Sequence, residues 1–251
     1  MLVAERKDLL LSRLAEHGKV VAKDVAAELA VSEDTIRRDL RELAEAGLCQ
    51  RVYGGALPVS PAVADYTTRQ DVAPQSKQRV AKRALTLIEP DMTVLMDGGT
   101  TTLAVVQALP INLACAVITH SPTIACALLE RPAVEVFVLG GRLFRHSAVT
   151  CGAATVEAAG TVSADLFLLG VTGVHPDEGL TTGDAEEAAM KRALAARAAD
   201  TYVLASSEKI GAASRYRVLG VQEVAGIVTD VPADNPVVGR LRDAGVPVLN
   251  G

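Results

Sequence analysis

The sequence contains very few aromatic residues: it has no tryptophan, and aromatic residues make up 3% of its 251 positions. Hydrophobic residues nevertheless account for 49% of the chain. An interior without large rings must be filled by smaller side chains, so we expect cores rich in alanine and valine. At this length the chain has room for two domains of ordinary size.

Cysteine and histidine are also scarce, with four of each in the chain. The cysteines, at positions 49, 115, 126 and 151, form no Cys-x-x-Cys pair, and the histidines, at positions 17, 120, 146 and 175, lack the spacing of metal ligands. Disulfide frameworks and structural zinc sites are therefore not expected. We expect a reduced, cytoplasmic protein that needs no metal and no cofactor.

Long hydrophobic runs are absent as well. No apolar stretch approaches the roughly 18 residues that a transmembrane helix requires. Near the start of the chain, the charged residues Glu5, Arg6 and Lys7 interrupt the apolar residues around them. We therefore expect neither a membrane span nor a signal peptide.

Residues 31–40, with the sequence VSEDTIRRDL, have the features of a short cationic helix. Ser32 is a suitable N-cap, because its hydroxyl can accept a hydrogen bond from a first-turn amide that otherwise lacks a partner. Glu33 and Asp34 follow, where the helix dipole favours negative charge. Gly47 supplies the C-terminal stop. These signals predict a helix that begins after Ser32.

The apolar residues of this helix lie on one face. Ile36, Leu40 and Leu43 recur at helical spacing and predict a buried stripe. Polar and basic side chains occupy the other faces, among them Thr35, Arg37, Arg38 and Arg41. Threonine and arginine side chains can hydrogen-bond to bases and phosphates, so the exposed face is suited to DNA.

The flanking segments complete a DNA-binding pattern. Residues 6–14 and 23–29 predict two earlier helices, and a tight Ala30–Val31 connection leads into the third. In helix-turn-helix proteins the last helix enters the major groove while the preceding one crosses the backbone. After Gly47, two alternating segments joined by Gly54–Gly55 predict a hairpin, which would form a wing.

The charge of this region indicates selective binding. Residues 1–56 contain nine basic and ten acidic residues, a net charge of −1, whereas a non-specific DNA binder depends on a basic excess. The alternative is that Arg37 and Arg38 form an ordinary solvated helix face. The order of three helices and a hairpin favours DNA. The predicted DNA contacts are Lys23, Ser32, Glu33, Asp34, Thr35, Arg37, Arg38, Arg41, Arg51 and Tyr53.

The rest of the chain has a different pattern. Three prolines and little periodicity over residues 58–75 predict a linker between a domain at 1–57 and a second domain at 76–251. In the second domain, apolar strands alternate with helices, which predicts an α/β fold with a mainly parallel sheet. The expected strands lie at 92–96, 116–119, 134–139, 166–171, 201–205 and 225–229, and the expected helices at 77–88, 101–109, 122–129 and 184–199.

Ligands of such folds bind beyond the carboxyl ends of the strands. The segment Asp97–Thr102, with the sequence DGGTTT, follows a predicted strand and opens a helix. Its glycines let a ligand approach the backbone, and its hydroxyls and N-terminal amides attract an anion such as phosphate. The alternative is an ordinary tight turn. Gly140–Arg142 follows another strand in the same manner, which favours a ligand site.

The N-terminal residues resemble a known family. TIRRDL at 35–40, preceded by Val31–Ser32 and followed by RVYGGA at 51–56, is similar to the DNA-binding domain of DeoR-family bacterial transcriptional regulators. Tyr53 stands where the family usually has histidine. The resemblance implies a winged helix-turn-helix domain that binds double-stranded operator DNA as a homo-oligomer, a dimer or a tetramer.

The resemblance extends over residues 75–230 and implies a sensor domain related to ribose-5-phosphate isomerase. It implies that a phosphorylated sugar or similar metabolite binds there and changes the affinity for DNA. The implied effector residues are Asp97, Gly98, Gly99, Thr100, Thr101, Thr102, His120, Gly140, Gly141, Arg142, Gly152, Lys191 and Lys209. Residues 98–102 and Lys209 would bind phosphate, and Asp97 and His120 would bind sugar hydroxyls.

Other readings of these residues remain open. His120 stands where asparagine is usual and can equally be a structural histidine, and Lys191 can belong to a solvated helix face. Ser206 replaces the acid of the family's Asp-x-x-Lys motif. The rival function is a sugar-phosphate isomerase or deaminase, whose related members carry an acidic Asp-Gly-Ala-Asp-Glu loop. Residues 169–173 read LGVTG here, so the acids are missing and we expect a regulator, most simply a repressor of a sugar or nucleoside operon.

Overall fold

The computed structural model describes residues 1–251. Its N-terminal elements are α1 (Val3–His17), β1 (Val20–Val21), α2 (Ala22–Glu28), α3 (Glu33–Glu45), β2 (Gln50–Val52) and β3 (Gly55–Leu57). β3 lies between β1 and β2 in an antiparallel sheet. This arrangement is a winged helix-turn-helix and confirms the fold expected for the N-terminal region. No helix in the structure has the length and apolar character needed to cross a bilayer.

The core of this region contains the stripe predicted for the third helix. Ile36, Leu40 and Leu43 are buried and pack with Leu10 and Leu14 of α1. α3 continues five residues beyond the predicted segment and ends before Gly47, whose φ of +73° is the left-handed conformation that glycine adopts readily. The core therefore fixes which face of α3 is turned to solvent.

The segment predicted as a linker is folded against the second domain. It contains a 3₁₀ turn at Pro61–Val63 and the short helix α4 (Tyr66–Gln70). Val59 forms a bridge with Ala213, and the Tyr66 N–H donates a hydrogen bond of 2.8 Å to the His146 carbonyl. The proline content indicated a connection between domains, but it contained no signal for these distant contacts.

The second domain is built on a parallel sheet. Its elements are α5 (Pro74–Ala84), β4 (Thr93–Met96), α6 (Thr100–Ala108), β5 (Cys115–Thr119), α7 (Pro122–Leu128), β6 (Val134–Val138), β7 (Arg142–Phe144), β8 (Val149–Cys151), α8 (Ala153–Ala159), β9 (Ala164–Gly170), β10 (Gly173–His175), β11 (Gly179–Thr182), α9 (Ala185–Ala195), β12 (Ala198–Ala205), β13 (Tyr216–Leu219), β14 (Gly226–Thr229), α10 (Pro236–Asp243) and β15 (Val248–Asn250). Seven strands lie in the order β15-β14-β12-β9-β4-β5-β6, each parallel to its neighbours. The expected α/β fold with a mainly parallel sheet is confirmed.

Apolar side chains cover both faces of this sheet. Along β9, Leu166 and Leu168 belong to one buried cluster, while Phe167 and Leu169 belong to the other. This alternation follows from the pleat of a strand, which points successive side chains to opposite faces. The cores hold the carboxyl ends of β4, β9 and β12 side by side, and the loops that follow them meet there.

One expectation for this domain was wrong in detail, and two small antiparallel elements were not predicted. The helix expected at 184–199 ends at Ala195, because Ala198 already pairs with β9 as part of β12. The small antiparallel sheet β10-β11-β13 and the β7-β8 hairpin were not predicted. Their strands are three or four residues long and lack the apolar runs by which the parallel strands were recognised.

Candidate DNA-reading face and ligand cavity

The start of α3 has the cap that the sequence predicts. The Ser32 side chain accepts a hydrogen bond of 3.2 Å from the Thr35 N–H, and the two hydroxyls lie 2.8 Å apart. Ser32 and Asp34 are exposed, and Glu33 and Thr35 are half-buried. The first turn of the helix therefore lies at the surface with its polar side chains accessible, as a reading helix requires.

The basic residues of α3 lie on its solvent face. Arg38 and Arg41 are exposed and form no ion pair within the protein. Arg37 is exposed too, but its guanidinium lies 2.7 Å from Glu33 one turn earlier. An exposed ion pair of this kind contributes little to stability, so Arg37 can exchange it for a phosphate or a base.

The wing brings further predicted residues to the same side. Arg37, Arg51 and Tyr53 line one shallow depression between α3 and the β2–β3 turn. Tyr53 is fully exposed at the tip of this turn. Lys23, at the start of α2, is exposed but does not line the depression. The structure thus places the wing residues beside α3 and Lys23 on the preceding helix.

A buried ion pair holds α3 against α1, and sequence reasoning missed it. Arg6 donates from Nε to Oδ2 of Asp39 and from Nη2 to Oδ1, the latter over 3.2 Å. Both side chains are buried. The hydrogen bond to Asp39 raises the pKa of Arg6 above its ordinary value. The sequence did contain a signal for this pair. Asp39 is an acidic residue within the TIRRDL segment, and a carboxylate at this position would repel the phosphates of DNA if it faced them.

The loops after β4, β9 and β12 enclose a cavity, here called the sheet-end cavity. Five residues of the predicted phosphate loop, at 98–102, line it together with the 170–172 loop and several charged side chains. Gly99, with φ of +125°, precedes α6, and the N-terminus of that helix, whose first amides have no partner within the helix, lies on the cavity wall. The cavity has a volume of about 20 Å³, which is enough for roughly one water molecule.

Lys209 lies in the sheet-end cavity, as expected. Its Nζ donates a hydrogen bond of 2.9 Å to the Thr101 hydroxyl and one of 3.4 Å to the Leu204 carbonyl, both of which are neutral acceptors. Burial lowers the pKa of Lys209 to about 8, which the neighbouring carboxylate of Glu208 only partly opposes. Its charge is therefore not neutralised by a direct carboxylate contact.

Asp97 does not face the cavity. It is fully buried, and its oxygens accept four hydrogen bonds, from the N–H groups of Gly98 and Gly170, from His120 and from Lys191. Burial alone would raise the pKa of Asp97, but the positive charges of Lys191 and His120 outweigh it and hold the pKa well below its usual range. Asp97 has no free lone pair directed at a ligand, so the expectation that it binds sugar hydroxyls is corrected.

His120 is a structural histidine, the alternative left open above. Its Nδ1 lies 2.8 Å from the Thr150 carbonyl and its Nε2 lies 2.8 Å from the Asp97 carboxylate. Each ring nitrogen therefore has a partner within the protein. The expectation that His120 contacts a ligand is corrected, because the ring is completely buried and both nitrogens are engaged.

Lys191 is buried and does line the cavity, so it is not part of a solvated helix face. Its Nζ lies 2.5 Å from Asp97 and 3.2 Å from Glu187. Burial alone would lower the pKa of Lys191, but these two carboxylates raise it above its ordinary value. Lys191 is therefore paired with two carboxylates of the protein and needs no ligand to balance its charge.

The second glycine-rich loop lies elsewhere. Gly140, Gly141, Arg142 and Gly152 do not line the sheet-end cavity. Arg142 is exposed and pairs with Glu186. A side chain on Gly141 would collide with the Thr155 hydroxyl at 2.0 Å, so this glycine is explained by close packing. The structure does not bring these residues to the cavity, and their role in ligand binding stays a prediction.

Sequence reasoning missed Arg69 of α4, which lines the cavity. Its Nε and Nη2 are buried and have no hydrogen-bond partner. Burial lowers the pKa of Arg69 from its ordinary value. Lys77 of α5, also on the cavity wall, donates its Nζ hydrogen to the Arg69 carbonyl, and burial lowers its pKa too. Nothing in a proline-rich connection signalled a cavity residue.

Comparisons with known proteins identify the families of the two domains. Residues 6–62 match the model of the DeoR-like helix-turn-helix domain, and residues 72–231 match that of the DeoR C terminal sensor domain. The chain is 32% identical to a putative aga operon transcriptional repressor of Escherichia coli O157:H7, over 98% of this chain and 93% of that protein. It is 31% identical to the HTH-type transcriptional regulator GlpR of Haloferax volcanii, over 100% and 99% of the two chains.

Among solved structures, a D-ribose-5-phosphate isomerase in complex with phospho-erythronic acid aligns with 55% of this chain and 54% of its own, at 20% identity and a TM-score of 0.42. The relatives with full-length similarity carry names of regulators, which confirms the expectation of a regulator over an enzyme. The matched domain models cover the helix-turn-helix and the α/β domain in the expected order. The protein is therefore a member of the DeoR family of transcriptional regulators.

Proposed function

We propose that this protein represses a sugar or nucleoside catabolic operon by binding double-stranded operator DNA through α3. The observation that carries the proposal is a capped helix that exposes Arg38 and Arg41 beside a wing. The name of the aga operon repressor supports repression of a catabolic operon. Arginine side chains placed in this way reach guanine edges in the major groove or phosphates on its rim.

The proposed effector is a phosphorylated metabolite in the sheet-end cavity. The observation that supports it is the partnerless guanidinium of Arg69, which shares the cavity with Lys77 and Lys209. A buried donor without an acceptor costs free energy, and a phosphate oxygen would supply the acceptor. The first amides of α6 add the partial positive charge of a helix N-terminus.

The connecting segment offers a route from the cavity to the DNA-binding domain. Arg69 and Ala62 form part of the cavity wall, and the Ser60 hydroxyl donates to the Glu208 carbonyl over 3.4 Å. The cavity has room for roughly one water, so a sugar phosphate enters only if part of its wall moves. We expect that part to be residues 60–72, which follow β3 of the wing closely in the chain.

Operator binding is proposed to involve a dimer or a tetramer. A single reading helix in a region of net charge −1 makes few phosphate contacts, so two copies on repeated half-sites would supply the missing affinity. Sedimentation of the full chain with and without DNA tests the assembly state. A monomer that binds DNA tightly would contradict this part of the proposal.

A ligand screen tests the effector. The thermal unfolding of the full chain is followed in the presence of ribose 5-phosphate, fructose 6-phosphate, glucosamine 6-phosphate and glycerol 3-phosphate, with the unphosphorylated compounds as controls. We expect stabilisation by at least one phosphorylated compound and by none of the controls, since binding to the folded state raises the melting temperature. No stabilisation by any phosphorylated compound, or equal stabilisation by its control, would contradict the proposal.

A further inference from the structure

Three residues on the wall of the sheet-end cavity have buried polar atoms without a hydrogen-bond partner: Arg69, Thr102 and Glu208. Native structures leave few such atoms unpaired, because each one costs free energy. Arg69 can only donate, whereas an ionised carboxylate can only accept. The same cavity therefore presents a group that requires an anion and a group that requires a donor.

Glu208 is held in place from two sides. Its Oε1 accepts a hydrogen bond of 2.7 Å from the Ser206 hydroxyl, and its backbone lies in the 3₁₀ turn Ser207–Lys209, where the Lys209 N–H donates to the Ser206 carbonyl over 2.9 Å. Its Oε2 is left buried and unpaired. The carboxylate is thus oriented by its own turn, with one oxygen available to another molecule.

The neighbouring cations do not satisfy this oxygen. Lys77 and Lys209 line the same cavity and feel the negative charge of Glu208, which opposes the loss of their own charges. Their Nζ atoms, however, donate to the Arg69 carbonyl and to the Thr101 hydroxyl. An anion without a hydrogen to donate, such as sulfate, would leave Oε2 unpaired if these cations bound it, and would place a second negative charge beside it.

We propose that Glu208 accepts a hydrogen bond from a hydroxyl of the effector and selects phosphorylated polyols over other phosphorylated compounds. This inference rests on the proposed phosphate site: Arg69 and Lys209 would bind the anion, and Glu208 would read the hydroxyl-bearing part of the same molecule. A ligand with phosphate but no hydroxyl leaves the carboxylate desolvated and unpaired. Sites built to bond a substrate hydroxyl reject analogues that lack it for this reason.

Isothermal titration calorimetry on the full chain tests the proposal with a matched pair of probes. Glycerol 3-phosphate carries alcohol hydroxyls and n-propyl phosphate carries none, while sulfate, which has no hydrogen to donate at neutral pH, reports on the anion site alone. Ribose 5-phosphate and fructose 6-phosphate extend the hydroxyl-bearing set. The wild-type protein, E208Q and the control E157Q are compared. Glu157 is an exposed carboxylate on α8, outside the cavity.

We expect the wild-type protein and E157Q to bind at least one hydroxyl-bearing phosphate about 10- to 100-fold more tightly than n-propyl phosphate, the range of one charged hydrogen bond. E208Q should lose most of this preference, measured as the ratio of the two affinities, and should still bind n-propyl phosphate and sulfate through Arg69 and Lys209. Retained binding of n-propyl phosphate also shows that E208Q is folded.

Two results would overturn the inference while leaving the phosphate site intact: an unchanged preference in E208Q, or an equal loss for probes with and without hydroxyls. Failure of the wild-type protein to bind any phosphorylated probe would instead reject the phosphate site, and this inference with it. If E208Q does not fold, S206A replaces it. That variant frees Oε1 and should reduce the preference in the same direction by a smaller factor.

Discussion

Lys209 is the cavity residue whose charge responds to pH near neutrality. Burial lowers its pKa to about 8, and a lysine is charged below its pKa and neutral above it. A phosphate monoester has its second pKa near about 6, so its charge does not change between pH 7 and pH 9. We expect affinity for a phosphorylated ligand to fall as the pH rises through about 8, as measured by calorimetry.

The matched variant for this prediction is Lys209→Met, which keeps the length of the side chain and removes the titrating group. Its affinity should be lower at pH 7 and should change little up to pH 9. A wild-type affinity that stays constant or rises over this range would contradict the assigned role of Lys209. So would a pH dependence that persists in the variant.

At the scale of single residues, the sequence predicted which loop lines the cavity but not which side chains contact one another there. The DGGTTT loop and Lys209 could be expected there because a glycine-rich turn after an apolar strand has a known place in parallel sheets. The pairing of Lys191 with Asp97 joins residues 94 positions apart, and no local pattern reports such a contact. For the same reason, the sequence predicted that Asp97 and His120 contact a ligand. In the structure Asp97 binds Lys191, and His120 binds Asp97.

Among the elements, α3 carries the proposed reading of DNA. Arg38 is exposed and makes no ion pair with the protein, so replacing it should remove the proposed DNA contact without disturbing the fold. We expect Arg38→Ala to weaken operator binding by at least about 10-fold, within the range of about 1–3 kcal/mol for one arginine contact. Fluorescence anisotropy with an operator selected from random DNA measures the affinity.

Arg215→Ala is the control for α3, because Arg215 is an exposed arginine of the second domain. Its affinity for DNA should match that of the wild-type protein, and both variants should unfold at wild-type urea concentrations. Wild-type affinity in Arg38→Ala would remove this residue from the reading face.

The position of α3 depends on the buried pair Arg6–Asp39. Arg6→Met fills a similar volume but leaves the Asp39 carboxylate buried without a cation. Breaking a buried pair in this way costs about 3–5 kcal/mol. We expect the N-terminal domain of this variant to unfold at lower urea concentration and operator binding to be lost, while ligand binding in the sheet-end cavity persists.

Lys7→Met provides the comparison, since Lys7 forms a partly exposed pair with Glu42 between the same two helices. Exposed pairs contribute about 0–1 kcal/mol, so this variant should unfold close to the wild-type protein. Equal stability of the Arg6 and Lys7 variants would show that the buried pair does not hold α3.

At the scale of elements, local signals predicted α3 well and the smaller strands poorly. A cap at Ser32, an apolar stripe and a stop at Gly47 all lie within α3 or next to it, and the structure contains each of them. The strand β11 pairs with β13 across more than 30 positions, and β10, β11 and β13 are each too short to show a pattern. Their residues are stabilised by the surrounding core, which the sequence does not display.

For the whole molecule, residues 60–72 connect the two sites. This segment was expected only to link the domains, yet it contributes Arg69 to the cavity wall and hydrogen bonds to the second domain at both ends. In the proposed mechanism this segment takes up two positions, one in the arrangement that binds DNA and one in the arrangement that does not. A ligand that binds one of them more tightly shifts the balance between the two arrangements. In the proposed mechanism, the coupling depends on the ligand's contacts with Arg69 and Lys209 together.

The most direct test is a titration of the protein–operator complex with a phosphorylated sugar that binds in the calorimetric panel, followed by fluorescence anisotropy. The wild-type protein should lose at least about 10-fold in operator affinity, a coupling of about 1.4 kcal/mol. The double variant Thr101→Val, Lys209→Ala should bind the operator as the wild-type protein does and should not release it. Wild-type affinity that is unchanged by a bound ligand, or release of the double variant at the same ligand concentration, would contradict this account.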